Sequence, residues 1–267
     1  MKNCIIYTVK NDVSHLNKLK LSLKLLNDNF FKPNNLSNID IIFFHDKGIE
    51  NVISETITEL NINNCIFKVF ETKQPIYPKE IQDKIPQWGW PTTYKNMCRF
   101  WTGEVFKDEL VKKYDYYMRL DCDSYLTHPI NYNIFDVLEK ENKFYAYMKG
   151  GVFVDSPSVC IDFKKTINQY ETESKEKIKQ PSNLFPEGML YYTNFEICRI
   201  KDFSYSNYIH FYDYMDRSGG IYLYRWGDHI IRYAGINLLM NLSGVKQITD
   251  VNYTHSTFIN GVLTERI

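Results

Sequence analysis

The chain has 267 residues, enough for one large α/β domain with a sizeable buried core, and no linker divides it. Lys+Arg and Asp+Glu balance at 32 each, so there is no basic field to hold nucleic acid or an anionic membrane. Six scattered cysteines (Cys4, Cys65, Cys98, Cys122, Cys160, Cys198) contain no CxxC, which argues against a zinc site, and a chain of this size does not need disulfides.

Cys4-Ile5-Ile6-Tyr7-Thr8-Val9 is a short apolar run of buried-strand type, followed by Lys10-Asn11-Asp12. The N-terminus thus enters a strand directly, with no signal-peptide apolar region, and no apolar run is long enough to span a bilayer. Leu16, Leu19, Leu23, Leu26 and Phe30 then recur at three- and four-residue steps, the spacing of an amphipathic helix. A second strand is predicted from Ile39 to Phe44, ending at His45-Asp46, then a helix from Val52 to Leu60 and a third strand from Cys65 to Phe70. This alternation predicts parallel strands joined by right-handed crossovers, hence an open, Rossmann-like sheet with helices on both faces. In such sheets ligands bind beyond the carboxyl ends of the strands, which makes Lys10, Asn11 and Asp46 candidates by position. The same residue types are also ordinary turn and capping residues.

Gln74 to Pro91, with Pro75, Pro78, Pro86, Trp88, Trp90 and Pro91, should be an irregular loop. A helix is predicted from Thr92 to Val111, and Tyr114 to Leu120 reads as a strand that delivers Asp121-Cys122-Asp123 to its end. A short helix from Asn133 to Lys140, a strand from Phe144 to Met148 and a charged, mostly solvated helix from Asp162 to Lys179 come next. The last third should hold helices from Ser206 to Arg217 and Asp228 to Met240, broken at Gly219-Gly220, and short strands near Gln247 and Asn252.

Arg119-Leu120-Asp121-Cys122-Asp123 is the most informative segment. Two carboxylates one residue apart at the end of an apolar strand can converge on a hard divalent cation such as Mn²⁺ or Mg²⁺, which keeps positions open for phosphate oxygens. They can equally be loop carboxylates capping the next element. Glu196, in Thr193-Asn194-Phe195-Glu196, lies in a strand-like stretch where a carboxylate must be paired, metal-bound or at work. It reads either as a group meeting the reacting sugar or as an edge-strand residue facing solvent. Asp228, in Tyr224-Arg225-Trp226-Gly227-Asp228-His229, is either a helix N-cap or a ligand for sugar hydroxyls. His255 is either structural or a neutral imidazole ligand for the same metal. The high aromatic content, with 21 Tyr and 17 Phe, suits a Tyr- and Phe-rich core and also a sugar-binding groove.

Taken in order, Tyr94-Lys95-Asn96-Met97-Cys98-Arg99-Phe100, Tyr114-Asp115-Tyr116-Tyr117-Met118-Arg119, Asn194-Phe195-Glu196-Ile197, Asp216-Arg217-Ser218-Gly219-Gly220, Tyr224-Arg225-Trp226-Gly227-Asp228 and Tyr253-Thr254-His255 resemble the Kre2/Mnt1-like α-1,2-mannosyltransferases of glycosyltransferase family 15. The likeness covers roughly residues 92–258, and the earlier part matches in pattern. It implies a single GT-A domain over 1–267, a Rossmann-like open mixed sheet with helices on both faces, with a nucleotide-sugar half (1–125) and an acceptor and catalytic half (126–267). It also implies GDP-mannose as donor, Mn²⁺ (or Mg²⁺), and transfer with retention to a mannose-type or other glycan acceptor. By position, Asp121, Asp123 and His255 match the metal group, Glu196 the carboxylate proposed as nucleophile, and Asp228 a second catalytic candidate lining the substrate sites. Lys10, Asp46, Tyr94, Arg99, Asp121 and Asp123 fall on the donor side, and Arg225, Trp226 and Asp228 on the acceptor side.

The departures are specific. Asp121-Cys122 replaces the family's Glu-Pro, losing proline's fixed φ and one methylene. Lys10 stands where the family tends to have Arg, the segment from Gly150 to Tyr192 differs, and the family's membrane anchor is missing. A soluble, cytoplasmic or virus-associated location is therefore expected rather than Golgi anchoring. Competing readings are the same scaffold with UDP-glucose or UDP-GlcNAc, a non-catalytic glycan-binding module, and a two-carboxylate glycoside hydrolase. The spacing of Asp121 and Asp123 suits a metal better than an opposed acid and base.

Overall fold

The first apolar run forms β1 (Asn3–Val9), and in the computed structural model it lies inside a seven-stranded sheet. Residues 1–87, 89–148, 152–259 and 262–265 are described, with side chains described except at 152–153 and 256–265. Trp88 of the proline-rich loop, and Gly150 at the start of the segment that departs from the family, lie outside them.

The remaining strands are β2 (Asp40–His45), β3 (Cys65–Val69), β4 (Tyr116–Leu120), β5 (Ser124–Leu126), β6 (Tyr145–Met148), β7 (Val152–Val154), β8 (Met189–Tyr191), β9 (Phe195–Arg199), β10 (Val245–Ile248), β11 (Tyr253–Ile259) and β12 (Val262–Glu265). The main sheet runs β10-β6-β9-β4-β1-β2-β3, with β12-β11-β5 and β7-β8 as smaller sheets. β1 pairs in parallel with β2 and β4, and β2 with β3, whereas β9 is antiparallel to both β4 and β6. The sheet is therefore mixed, and the chain leaves β1 toward β2 on one side and returns to β4 on the other. That reversal is where an α/β sheet opens a crevice at its strand ends.

Alternation along the strands separates two cores. Ile5, Tyr7, Ile41, Phe43 and Met118 face one side, with Leu19, Leu23, Leu26, Ile53 and Ile57 from the helices above them. Cys4, Ile6, Ile42, Phe44 and Tyr117 face the other, against Trp101, Phe106, Phe203, Tyr208 and Tyr212. Helices thus cover both faces, as the period-2 and period-3.6 patterns require. The first helix, Val13–Leu26, starts because the Asp12 side chain accepts the His15 amide at 3.1 Å. Its leucines at 19, 23 and 26 are at most 1% exposed, each contributing about 2 kcal/mol by burial.

Two helices differ from the sequence pattern. The predicted Thr92–Val111 helix is regular over Thr92–Arg99, widens into a π-helical turn at Phe100–Glu104 and ends at Lys107. A Cβ at Gly103 in that turn would collide with the Tyr212 ring, so the glycine permits the close approach. The charged stretch predicted from Asp162 to Lys179 is helical only over Phe163–Glu173, and it is mostly exposed or half-buried, as its charge implies, apart from one inward face. Phe163, Ile167 and Tyr170 form a buried stripe, with Tyr170 edge-on to Phe211 at 5.1 Å and Phe163 edge-on to Trp226 at 5.2 Å. The abundance of charge concealed that stripe. All six cysteines are free thiols, and among the described residues no helix is long and apolar enough to cross a membrane.

Candidate active site

β4 ends at Leu120 and the chain turns through Asp121-Cys122-Asp123 into β5. No proline stiffens this turn. Instead Ser124 Oγ accepts the Asp121 amide at 3.2 Å and donates to the Asn194 carbonyl at 2.9 Å, while Ser22 Oγ on the first helix donates to the Ser124 carbonyl at 2.6 Å. β11 pairs antiparallel with β5 and sets His255 opposite Ser124, which carries the imidazole to Asp123. His255 Nε2 lies 2.9 Å from Asp123 Oδ1, and its Nδ1 lies 3.1 Å from the Tyr192 hydroxyl. One ligand atom from each of Asp121, Asp123 and His255 lies within 4.8 Å of the others.

Two cations balance this corner. Arg119, 3% exposed in β4, reaches Asp121 Oδ1 with Nε at 3.0 Å and Asp228 Oδ2 with a terminal nitrogen at 2.6 Å, its guanidinium 4.4 Å from the Trp101 ring centre. Lys18 Nζ, from the first helix, lies 3.2 Å from Asp123 Oδ2. Burial pushes the Asp121 carboxyl up despite Arg119. Burial acts the same way on Asp123, but His255 and Lys18 outweigh it and hold that carboxyl well below its ordinary range. At Asp228 burial is outweighed by Arg119, His229 and the Thr193 hydroxyl, which donates at 2.6 Å, and the carboxyl is held at about 2.

These groups open onto a cavity of about 590 Å³ at the carboxyl ends of β1 to β4. Lys10, Asp46, Tyr94, Asp121, Asp123, Asp228 and His255, all selected from the sequence, line it together. Asn11 does not; its amide donates to Asp46 Oδ2 at 2.9 Å.

Four other candidates lie outside the cavity lining. Glu196 is 0% exposed and lies behind the cavity wall. Its Oε1 accepts from the Tyr117 hydroxyl at 2.8 Å, and Oε2 from Arg232 Nε at 3.1 Å. β9 is an interior strand, so a side chain there is roofed by helices on either face. Glu196 is therefore not a solvent-facing edge residue, and its carboxylate meets Tyr117 and Arg232 rather than the cavity. Arg99 does not line this cavity but pairs with Asp216 through Nε at 2.9 and 3.0 Å and a terminal nitrogen at 2.9 Å, joining two of the segments that carry the resemblance. Trp226 is core, 1% exposed. Its indole N–H donates to the Ile161 carbonyl at 3.0 Å and its ring leaves no room for a Cβ at Gly220. Arg225, at φ 66°, stands at the edge of the site rather than in its lining. It pairs with Asp155 at 3.0 Å, reaches the Tyr94 hydroxyl at 3.3 Å and lies 5.0 Å from the Trp90 ring centre.

Arg119, Lys18, His15, Thr193, Asn194 and His229, none of them a candidate from the sequence, also line the cavity. Arg119 carried a signal, a charge inside an otherwise apolar strand. So did the first helix, where His15, Lys18 and Ser22 form a polar stripe at helical spacing beside the leucines. Two carboxylates and an imidazole, with their ligand atoms already within 4.8 Å of one another, are a donor set that suits Mn²⁺.

A family model described as glycolipid 2-alpha-mannosyltransferase matches residues 1–267. Glycolipid 2-alpha-mannosyltransferase 1 of Candida albicans is 26% identical over 92% of this chain and 61% of its own length. Alpha-1,2 mannosyltransferase KTR1 of Saccharomyces cerevisiae is 26% identical over 91% of this chain and 66% of its own length. The chain therefore spans less than two thirds of these curated relatives. The crystal structure of the mannosyltransferase Ktr4p from S. cerevisiae superposes with a TM-score of 0.83 at 22% identity, over 95% of this chain and 70% of that one. Core-mannan synthase A from Aspergillus fumigatus, in its Mn/GDP form, gives 0.82 at 21% identity, over 96% and 74%. The mixed sheet with helices on both faces is accordingly the GT-A-type fold expected from the sequence. With the family model matching from the first residue to the last, the protein belongs to the glycolipid 2-alpha-mannosyltransferase family.

Proposed function

We propose that this chain is a metal-dependent, retaining mannosyltransferase that moves α-mannose from GDP-mannose to a hydroxyl of a mannose-type or other glycan acceptor. The observation that carries the reading is the convergence of Asp121, Asp123 and His255 on one corner of the cavity that Lys10, Asp46 and Asp228 also line. The names of the relatives, α-1,2- and glycolipid 2-alpha-mannosyltransferases, and the Mn/GDP form of a structural neighbour favour this donor and metal.

Asp121, Asp123 and His255 would hold Mn²⁺, or Mg²⁺ in its place, where it would act as a Lewis acid on the donor diphosphate. Lys10 at the end of β1 and Asp46 at the end of β2 would bind the nucleotide beside it, with Tyr94 across the cavity. Arg119 ties Asp121 to Asp228 and fixes the spacing between the metal corner and the sugar end. Among the described residues, both side-chain bonds on Asp228 fall on Oδ2, leaving Oδ1 to accept from a substrate hydroxyl or to stabilise positive charge at the anomeric carbon. As the bond from that carbon to the phosphate oxygen breaks and the bond to the acceptor oxygen forms on the same face, the acceptor proton passes to the departing phosphate. Glu196, with its carboxylate held by Tyr117 and Arg232, acts as a positioning residue in this scheme. Residues 1–125 then supply most of the nucleotide side, and 126–267 supply Asp228 and His255.

The test is nucleotide release and thermal stabilisation with Mn²⁺ and GDP-mannose, UDP-glucose or UDP-GlcNAc, with and without methyl α-mannoside. GDP-mannose should give the largest shift and acceptor-stimulated GDP release, and Asp123→Ala should lose both. Preference for a UDP-sugar, or mannoside binding that is indifferent to metal and donor, would overturn the reading.

A further inference from the structure

Lys18 reaches the metal corner from an element that carries none of its ligands. Its side chain is 12% exposed, and its ammonium pairs with Asp123 on Oδ2 while His255 approaches the same carboxylate on Oδ1. A divalent cation held by Asp121, Asp123 and His255 would therefore sit one carboxylate away from a fixed positive charge. In a partly buried corner those like charges repel appreciably, so the Lys18–Asp123 pair and the metal compete for one group.

Lys18 also lines the nucleotide cavity, on the wall it shares with His15 and Lys10. A nucleoside diphosphate brings more negative charge than one divalent cation neutralises. A lysine, with a flexible four-carbon stem and three rotatable donors, can change partners without moving the helix that bears it. We propose that Lys18 exchanges Asp123 for the donor diphosphate when metal and nucleotide bind, which makes their binding mutually dependent. The inference rests on the nucleotide-sugar reading above and adds a residue and a direction of coupling to it.

The sign of one substitution separates this from a lysine that merely orients Asp123. In Lys18→Met, Mn²⁺ alone should bind more tightly, by about tenfold, because its competitor is gone, and GDP at saturating Mn²⁺ more weakly by a similar factor. Guanosine, which lacks phosphates, should compete for the site equally well in both proteins. Both affinities are read by calorimetric titration, without turnover. Weaker Mn²⁺ binding in the variant would show an orienting role and overturn the exchange. Unchanged GDP affinity, or an equal loss for guanosine, would overturn the phosphate contact. A wild-type protein that binds neither Mn²⁺ nor GDP would overturn the mannosyltransferase reading and this inference with it.

Discussion

Replacing Glu196 by Gln tests whether this carboxylate belongs to the chemistry or to the scaffold. Glu196 and Arg232 are both 0% exposed. The guanidinium also donates to the Tyr208 hydroxyl and the Trp101 carbonyl, each at 2.6 Å, and lies 4.7 Å from the Phe106 ring centre. Glutamine keeps the shape but removes the charge, and its amide NH₂ meets a donor from either Tyr117 or Arg232. Removing one partner of a buried pair costs about 3–5 kcal/mol, a large part of a total stability of about 5–15 kcal/mol. For a chain of this length that lowers the melting temperature by about 6–10 °C. The assay is thermal and urea unfolding of Glu196→Gln, Arg232→Met and the double variant, with nucleotide release measured below the transitions. The double variant should be more stable than the sum of the single losses predicts, because it no longer buries an unpaired charge. If Glu196→Gln melts with the wild type yet releases no nucleotide, the carboxylate works at the reacting carbon and the scaffold assignment is refuted.

Acid unfolding should report Asp228. Its carboxyl is lowered from 3.8 to about 2, so its contribution is complete above the unfolded value and lost as pH falls toward the folded one. That amounts to about 2 kcal/mol between about pH 4 and pH 2, and Asp228→Asn should flatten this limb; an unchanged acid profile would refute the pairing with Arg119. At Gly103 an added methyl would collide with the Tyr212 ring. Gly103→Ala should therefore cost about 1–3 kcal/mol by overpacking, read as a lower urea midpoint, and a neutral result would mean that the π-helical turn relaxes.

Periodicity along the chain was enough to set the parallel half of the architecture. The apolar run at residues 4–9 could bury only as a strand, and the leucines of the first helix could bury only on one face. Their alternation with β2 and β3 left a parallel sheet with its ligand crevice at the strand ends. Asp121 and Asp123 were legible for the same local reason, two carboxylates placed at the end of an apolar strand. Which distant groups meet them is not local information. His255 reaches Asp123 through the β5–β11 pairing, and Lys18 through the packing of the first helix against β5, where Ser22 holds Ser124. Arg119 chooses Asp121 and Asp228 because all three are enclosed together at the end of β4. Glu196 marks the limit most clearly. Its sequence surroundings fit a reactive carboxylate, but the antiparallel insertion of β9 between β4 and β6 buries it beside Arg232. Sequence fixes which face of a strand a side chain takes, whereas what covers that face depends on elements from the rest of the chain.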